Sequence, residues 1–337
     1  MAAAHNEFLK AQLASLPPLP AIEKLSDSVW RILGGNPGKV CMCLVHYYPT
    51  PHLCPHVIAS SSFAFLFPFL TAQFQLQGTN TYLIGTGRER LLIDTAQGIP
   101  IWIESLKSVL EKENAVVKRA LITHFHHDHV GGISDLRKLS PSTVFHKNSP
   151  DDNQDEGIND GDEFSVEGAT LKAVHTPGHA PDHMCFLLKE ENTIFTGDNV
   201  LGHGTTVFTD LKEYMGSLQK MLDLKPGRAY PAHGQLIQEG QKKLQEYIVH
   251  RQRRESQIVR QLQAAHVEKE ADQEAVTSME LVKRIYTDVD PGLHLAAEGG
   301  VVQVLHKLEK EGKVRSVVRN GTTKYMLLEK SSGASSL

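Results

Sequence analysis

The string Thr-His-Phe-His-His-Asp-His at residues 123–129 constrains this chain more than any other feature of its sequence. It follows an apolar stretch that is predicted to form a buried strand. In an extended chain, residues two apart point to the same side, so His124 and His126 can bind one ion. Asp128 and His129 follow where the chain turns into a predicted helix, and they can reach a neighbouring second ion. The string therefore predicts a metal centre just after a strand.

Three further motifs supply ligands of the same kind later in the chain. A Thr-Pro-Gly-His turn ends in His179, and Phe-Thr-Gly-Asp places Asp198 at the end of a predicted strand, where a carboxylate can bridge two cations. Tyr-Pro-Ala-His-Gly supplies His233 at another strand end. Five histidines and two aspartates make a dinuclear nitrogen and oxygen site, which zinc prefers and manganese or iron tolerates. We expect two Zn²⁺ ions, with Mn²⁺ or Fe as alternatives.

Predicted strands and helices alternate up to about residue 238, which is typical of an α/β or α+β chain. The predicted strands cover residues 29–33, 81–84, 91–94, 120–123 and 193–196, and the predicted helices cover 101–110 and 131–139. The residues from 81 to 94 are predicted to form a hairpin through a Gly-Thr-Gly turn.

The composition changes after His233. The pattern predicts a long polar helix at residues 241–263, then helices at 279–286 and 301–311 and a hairpin of 314–318 with 324–328. Helices followed by a hairpin suggest a small winged-helix-like module, and a plain packing role is the interpretation we favour for it. The predicted organisation is a lead-in at 1–21, a catalytic domain at 22–238, a C-terminal domain at 239–330 and a disordered tail at 331–337.

Residues 40–73 interrupt the chain with an unusual composition. Residues 40–87 contain no Asp, Glu, Lys or Arg, and the interruption holds Cys41, Cys43 and Cys54. Without it, the sequence is a natural strand–turn–strand passage. We predict that these residues are a translated intron, because Val-Cys at the start is compatible with a GTATGT donor and Gln at the end with a CAG acceptor. A genuine surface insertion is the alternative.

Composition excludes several classes of protein. The hydrophobic share of 40%, the charged share of 22% and the net charge of −4 describe an ordinary globular chain without electrostatic support for nucleic-acid binding. The longest apolar run, residues 63–70, is interrupted by Pro68 and falls short of the roughly 20 residues of a membrane helix. The first residues show neither a secretory signal nor a transit peptide. We therefore expect a cytoplasmic protein that does not bind a membrane.

The motifs HxHxDH, TPGH, GD and AHG, in this order, resemble the metallo-β-lactamase superfamily. The resemblance implies an αββα sandwich with two metals at its edge. It also implies the ligand sets: His124, His126 and His179 for the first metal, Asp128, His129 and His233 for the second, and Asp198 bridging them. The family's Ile-Asp-Thr-Gly is Ile-Asp-Thr-Ala here, at residues 93–96. Loss of that glycine predicts a strained turn beside the retained Asp94.

Four other histidines need interpretation. His127 occupies the variable position of the motif and is predicted to support the ligands or to face solvent. His183 either supports a ligand or belongs to the core. His203 either lines the pocket or donates a proton, and we include it with Asp128, which is predicted to orient the attacking hydroxide, as a candidate catalytic residue. His175 is predicted to pack on its strand.

A narrower group within the superfamily is indicated by GGNPGK, LQGTNTYLIGTG, TPGH..DHM, GDNVLGHGTTVF and the additional C-terminal domain. The chain resembles the fungal metallo-β-lactamase-type thioesterases that work beside non-reducing polyketide synthases, such as the atrochrysone carboxyl acyl-carrier-protein thioesterases. The β-lactamase-like endoribonucleases of animals share these marks.

The resemblance implies hydrolysis of the thioester between a polyketide and the acyl-carrier-protein domain of the synthase. A thiol, with a pKa of about 8.5, leaves without strong acid catalysis. The alternative is a metal-dependent endoribonuclease acting on single-stranded RNA, and a third interpretation is an inactive interaction protein. An acidic stretch at 151–163 would repel phosphates if it lay near the site, and otherwise it is a solvated loop. A basic helix suits either partner; its cations are Lys242, Lys243, Arg251, Arg253 and Arg254.

Overall fold

The structure, a computed structural model, describes residues 16–35, 77–149, 155–268, 275–289 and 291–328. The predicted intron or insertion at 40–73, most of the lead-in and the tail at 331–337 lie outside these ranges, and those predictions stay predictions.

The first sheet has seven strands whose spatial order follows the sequence. Neighbours pair antiparallel from β1 to β4 and parallel from β4 to β7. The strands are β1 Ile22–Lys24, β2 Val29–Leu33, β3 Asn80–Ile84, β4 Glu89–Ile93, β5 Val116–Leu121, β6 Val144–Lys147 and β7 Asp155–Gly157. The predicted strand at 29–33 and the hairpin of β3 with β4 are confirmed.

The second sheet has five strands in the order β12-β11-β10-β9-β8. They are β8 Glu163–Val166, β9 Ala169–His175, β10 Met184–Leu188, β11 Thr193–Gly197 and β12 Arg228–Pro231. Because β10 is antiparallel to both β9 and β11, and β11 is parallel to β12, the strands β9, β11 and β12 run in one direction. Their carboxyl ends therefore lie at the same edge of the sheet.

Helices cover the outer faces of both sheets. The helices are α1 Pro100–Lys112, α2 His127–Val130, α3 Ile133–Leu139, α4 Leu211–Asp223, α5 Gly240–Glu268, α6 Ser278–Ile285 and α7 His294–Lys310, with a 3₁₀ turn at Pro291–Leu293. Pro100 stands in the first turn of α1, where its missing N–H costs nothing. The Asp210 carboxylate caps α4, and Thr277 with Glu280 forms a capping box on α6.

Three apolar cores separate these layers. The first lies between the two sheets and includes Phe186 and Phe195. The second packs the outer face of the first sheet against α1 around the fully buried Trp102. The third lies outside the second sheet and continues without interruption from Leu218 of α4 into the C-terminal helices. These layers are the predicted αββα sandwich.

The C-terminal elements follow the prediction to within two residues except at two boundaries. Helix α5 continues to Glu268, past its predicted end at residue 263. Strands β13 Val314–Arg319 and β14 Thr322–Leu327 form the predicted antiparallel hairpin. Helix α7 begins at His294, earlier than the predicted start at residue 301, because the pair Gly299–Gly300 lies inside the helix and does not end it. Core contacts of Val301 and Leu305 outweigh the low helix propensity of glycine. No described helix has both the length and the apolar character required to span a bilayer. The cytoplasmic location stays a prediction.

Candidate metal centre

The candidate site lies where strands of both sheets end. His124 and His126 follow β5, and Asp128 with His129 stands on the short helix α2. In the second sheet, His179, Asp198 and His233 follow β9, β11 and β12. The structure thus brings all seven predicted ligands to one edge of the sandwich.

The first group consists of His124, His126, His179 and Asp198, whose donor atoms all lie within 4.8 Å of one another. Nε2 of His124 lies 2.9 Å from Nδ1 of His126, and Nε2 of His179 lies 3.1 Å from the same atom. Two imidazole nitrogens bound to one tetrahedral cation at about 2.0–2.1 Å are about 3.3 Å apart. The spacing of these nitrogens therefore suits a single cation.

The second group consists of Asp128, His129 and His233. Oδ2 of Asp128 lies 3.4 Å from Nε2 of His129 and 3.3 Å from Nε2 of His233. The two oxygens of Asp198 face different groups: Oδ1 lies 3.2 Å from Nε2 of His233, and Oδ2 lies 3.5 Å from Nε2 of His179. Asp198 therefore stands between the groups, in the position of the predicted bridge.

Several buried polar atoms at the site have no hydrogen-bond partner in the part of the chain that the structure describes, and they show whether these residues suit a bound metal ion. Nε2 of His129, Nε2 of His233 and Oδ1 of Asp198 are buried and have no hydrogen-bond partner among the described residues. An unsatisfied buried polar group costs about 1–3 kcal/mol, and more when it is charged. Cations contacting these atoms would remove that cost, and nitrogen and oxygen donors are the correct set. The residues fit a divalent-metal site.

Hydrogen bonds behind the imidazoles fix which nitrogen faces the centre. Nδ1 of His179 donates to the carbonyl of Val207 at 2.8 Å, and Nδ1 of His233 donates to the carbonyl of Gly78 at 3.1 Å. Nδ1 of His129 lies 2.8 Å from Oδ2 of Asp94. Each contact leaves Nε2 unprotonated in the neutral ring and directs its lone pair inward.

Asp94 also organises the loop that carries the first ligands. Its Oδ1 accepts the Thr123 N–H at 2.8 Å, and its Oδ2 accepts the Thr123 hydroxyl at 2.9 Å. Ala96, which stands where the family has glycine, has a φ of 52° in the left-handed region. This backbone costs an alanine about 1–2 kcal/mol, as the sequence predicts. The methyl group is fully buried, and the turn keeps Asp94 in place.

The charge distribution differs between the two groups. Burial, helped by neighbouring His179, lowers the pKa of His126 to about 3, and burial lowers the pKa of His124 well below its usual value. Burial also opposes the charged form of His233, yet Asp198 and Asp128 prevail and raise its pKa to about 10. Without metal, the histidines of the first group are therefore neutral at pH 7, whereas His233 of the second group is protonated.

Thr79 and Asn80, at the start of β3, hold the second group, although the sequence alone left them without a role. The Thr79 hydroxyl donates to Oδ2 of Asp128 at 3.0 Å. The Asn80 amide donates to the carbonyls of Pro231 and Gly234 at 2.9 and 2.8 Å, on either side of His233. The sequence did identify Gly-Thr-Asn-Thr-Tyr at 78–82 as typical of the narrower group. It did not predict the role of these residues, because their partners are far away in sequence.

The remaining histidines divide by burial. His127 is exposed, in agreement with the predicted alternative that it faces solvent rather than supports the ligands. His183 is fully buried, and its Nε2 accepts the backbone N–H of Asp198 at 3.1 Å, so it supports a ligand from behind. His203 is half-buried beside Gly234, and burial together with His233 lowers its pKa to about 4. His175 contacts the Pro181 carbonyl at 3.0 Å.

Comparisons with known proteins agree with this fold. Residues 75–233 match the metallo-beta-lactamase superfamily, and residues 277–321 match the beta-lactamase associated winged helix domain. The chain is 42% identical to the lactamase-like protein adaB of Aspergillus niger, over 92% of this chain and 89% of that protein. It is 40% identical to an atrochrysone carboxyl ACP thioesterase of Aspergillus chevalieri, over 96% and 94% of the two chains.

A solved structure extends the comparison to the whole fold. The beta-lactamase domain protein from Burkholderia ambifaria superposes with a TM-score of 0.66 at 14% identity, covering 94% of this chain and 96% of that one. The chain belongs to the metallo-β-lactamase superfamily. This membership, with curated relatives named thioesterases, confirms the prediction of an enzyme. The winged-helix character of the C-terminal elements is confirmed as well.

Proposed function

We propose that this chain is a zinc-dependent thioesterase that releases a polyketide from the acyl-carrier-protein domain of a non-reducing polyketide synthase in a fungus. The product would be atrochrysone carboxylic acid or a related aromatic polyketide. The observation that carries the proposal is the pairing of two adjacent His/Asp groups with near full-length similarity to relatives named atrochrysone carboxyl ACP thioesterases. The domains proposed for this activity are residues 22–238 and 239–330.

The two groups of ligands would hold two Zn²⁺ ions, with Asp198 contacting both. Such a pair supplies, when bound, Lewis acidity toward a thioester carbonyl and a nucleophile at neutral pH. The protein's own part is to fix this arrangement: Asp94 and Val207 hold His129 and His179 from behind. Asp128, held by Thr79, is proposed to orient the attacking water as well as to bind metal.

Leaving-group chemistry favours a thioester over RNA. A thiolate leaves readily because its conjugate thiol has a pKa of about 8.5, whereas ribose alkoxides are much more basic and require a proton donor. The candidate donor that the sequence indicates is His203, whose pKa is lowered to about 4 by burial and by His233. It is therefore neutral at pH 7 and a poor general acid. We propose that His203 lines the pocket rather than donating a proton.

An exposed aromatic ring beside the metal centre favours a substrate with an apolar acyl group. Phe125 lies between two of the proposed ligands in sequence and is 56% exposed. Its ring packs edge-on against His126, with 4.8 Å between the ring centroids. An aromatic surface left in water beside the reacting centre suits an aromatic polyketide.

Surface charge does not distinguish the two substrates. Within the described part of the acidic stretch, Asp155 pairs with Arg137 and Lys147, and Asp160 pairs with Lys220, so cations of neighbouring elements offset part of its charge. On α5, four of the five cations are likewise occupied: Lys242 and Lys243 pair with neighbouring glutamates, Arg251 contacts a loop, and Arg254 covers the ring of Tyr286.

The test is thiol release from an aromatic polyketide-type thioester on an acyl-carrier protein, using zinc-loaded full-length protein beside a single-stranded RNA substrate. Thiol release without RNA cleavage is the expected result. RNA cleavage without thiol release would overturn the thioesterase and identify an endoribonuclease. Zinc-loaded protein that processes neither substrate would also contradict the proposal.

A further inference from the structure

The loop of residues 201–208 contacts both His179 of the metal centre and the C-terminal helix α5. The Val207 carbonyl in this loop accepts the Nδ1 proton of His179 at 2.8 Å. This contact fixes the ring orientation and the tautomer of His179. A displacement of Val207 would therefore displace Nε2 of His179, the atom that faces the metal centre. The position of the loop therefore matters for the first group of ligands.

Two side chains one turn apart on α5 hold this loop. The Tyr247 hydroxyl accepts the Leu201 N–H at 3.2 Å and donates to the Gly204 carbonyl at 3.3 Å. The Arg251 guanidinium donates to the Thr206 carbonyl at 3.0 Å and also to the Thr205 hydroxyl. The two side chains thus satisfy backbone groups at both ends of the segment just before Val207.

Packing makes the Arg251 contact rigid. Its guanidinium carbon lies 4.7 Å from the centroid of the Phe208 ring, and that ring stacks on Tyr214 at 5.2 Å. Tyr214 is fully buried, and its hydroxyl donates to the Asn199 carbonyl at 2.7 Å. A planar guanidinium held both by a ring face and by hydrogen bonds is poorly replaced by lysine.

Helix α5 is itself fixed by the core rather than by the loop. Leu244 and Ile248, on the same helix, are buried in the apolar cluster that joins α4 to the C-terminal helices. The loop has no helix or strand of its own between residues 201 and 208. Its geometry therefore depends on groups supplied from outside it, of which Tyr247 and Arg251 are two.

We propose that Tyr247 and Arg251 are positioning residues of the metal centre, which act through the 201–208 loop on His179. The C-terminal helix is then part of the construction of the site and not only a neighbour of it. The proposal rests on the proposed ligand role of His179, but it does not depend on which substrate is hydrolysed.

The test measures Zn²⁺ affinity by chelator competition on full-length Arg251→Met, Arg251→Lys and Tyr247→Phe proteins. One of the two binding steps should weaken about 10-fold in Arg251→Met, with a smaller loss in Tyr247→Phe, while the other step is unchanged. Arg251→Lys should recover only part of the loss. Arg253→Met is the matched control, because Arg253 is exposed on the same helix, and it should leave both steps unchanged.

A double-variant cycle separates positioning from a general structural role. In a His179→Gln background, Arg251→Met should cause no additional loss of Zn²⁺ affinity, because its effect passes through His179. An equal weakening of both steps, or an undiminished loss in that background, would overturn the proposal. If Arg251→Met fails to fold, Tyr247→Phe decides, since it removes a single oxygen. A failed thioesterase assay leaves these affinities untouched, so the two failures are distinguishable.

Discussion

Oδ2 of Asp94 lies 2.8 Å from Nδ1 of His129, and both side chains are fully buried. The same carboxylate accepts two hydrogen bonds from Thr123, whose hydroxyl lies 3.0 Å from Nδ1 of His124. One residue thus orients a ligand of each group. A carboxylate in this position also favours metal binding by raising the basicity of the imidazole that it contacts.

Asp94→Asn should weaken metal binding about 10- to 100-fold, because an amide NH₂ replaces an acceptor oxygen where three donors converge. Chelator competition with Zn²⁺ measures this directly. Asp135→Asn is the control: Asp135 is partly exposed on α3 and pairs only with surface Lys138 among the described ion pairs. Equal affinity in the Asp94 and Asp135 variants would contradict the role assigned to Asp94.

Asp198→Ala should abolish thioester turnover, because the two oxygens of Asp198 face the two different groups of proposed ligands. Its metal content should fall from about two ions per chain toward one. Elemental analysis of purified protein, together with thiol release, provides the measurement. Asp223→Ala, at an exposed position at the end of α4, should retain both metal and activity. Full activity in Asp198→Ala would refute this site.

Metal loading should release protons from the second group and none from the first. His233 has a pKa raised to about 10 by Asp198 and Asp128 despite its burial, so in the metal-free protein it is protonated at pH 7. His126, with a pKa lowered to about 3 by burial, is already neutral. Binding requires neutral imidazoles, so affinity for the second group should increase as the pH rises toward about 10.

Calorimetry at pH 7 in buffers of different ionisation enthalpy counts the released protons, and about one to two are expected for full loading. The same shift makes the stability of the metal-free fold depend on pH. Because the pKa of His233 in the fold is raised above its ordinary value of 6.5, protonated His233 stabilises the fold fully below pH 6.5. This contribution is lost as the pH rises through about 10. Loading without proton release would show that His233 is neutral before metal binds.

The clustering of the seven proposed ligands was predictable because each one stands in a short motif at a strand end. His124 to His129 are nearly consecutive, and the other three follow Pro-Gly, Gly or Pro-Ala within a few residues. Parallel strands then bring their carboxyl ends together, so local sequence was sufficient. The boundaries of β5 were less visible. The strand is Val116–Leu121 rather than the predicted 120–123, because Lys118 and Arg119 break its apolar pattern and the strand ends before residue 122.

The supporting residues were not predictable, because their partners are distant in sequence and chemically ordinary. Thr79 reaches Asp128, and Arg251 reaches Thr206, in each case across a large sequence separation. A surface arginine on a basic helix has no local pattern that distinguishes a positioning contact from a solvated charge. The packing of α5 against α4 and β12 brings Arg251 to the loop.

Phe125→Ala should raise KM for an aromatic polyketide thioester about 10-fold, equivalent to about 1.4 kcal/mol of lost binding, and leave KM for an acetyl thioester unchanged. The reason is that the exposed ring beside His126 offers apolar surface that only a large acyl group can cover. Steady-state thiol release on the two substrates measures the effect. Val318→Ala, at an exposed position in β13, is the control. A parallel rise for both substrates would argue against this contact.

Removal of residues 40–73 should leave the fold and the metal site intact. Leu33 of β2 and Asn80 of β3 are direct antiparallel partners, and Gly34 N–H donates to the Thr79 carbonyl at 2.7 Å, so the ends of the intervening chain already meet as in a hairpin. A shorter connection also loses less loop-closure entropy on folding. The shortened protein should therefore bind as much zinc as the full chain and melt at an equal or higher temperature. Loss of zinc would contradict the intron hypothesis, as would a mature transcript that retains these codons.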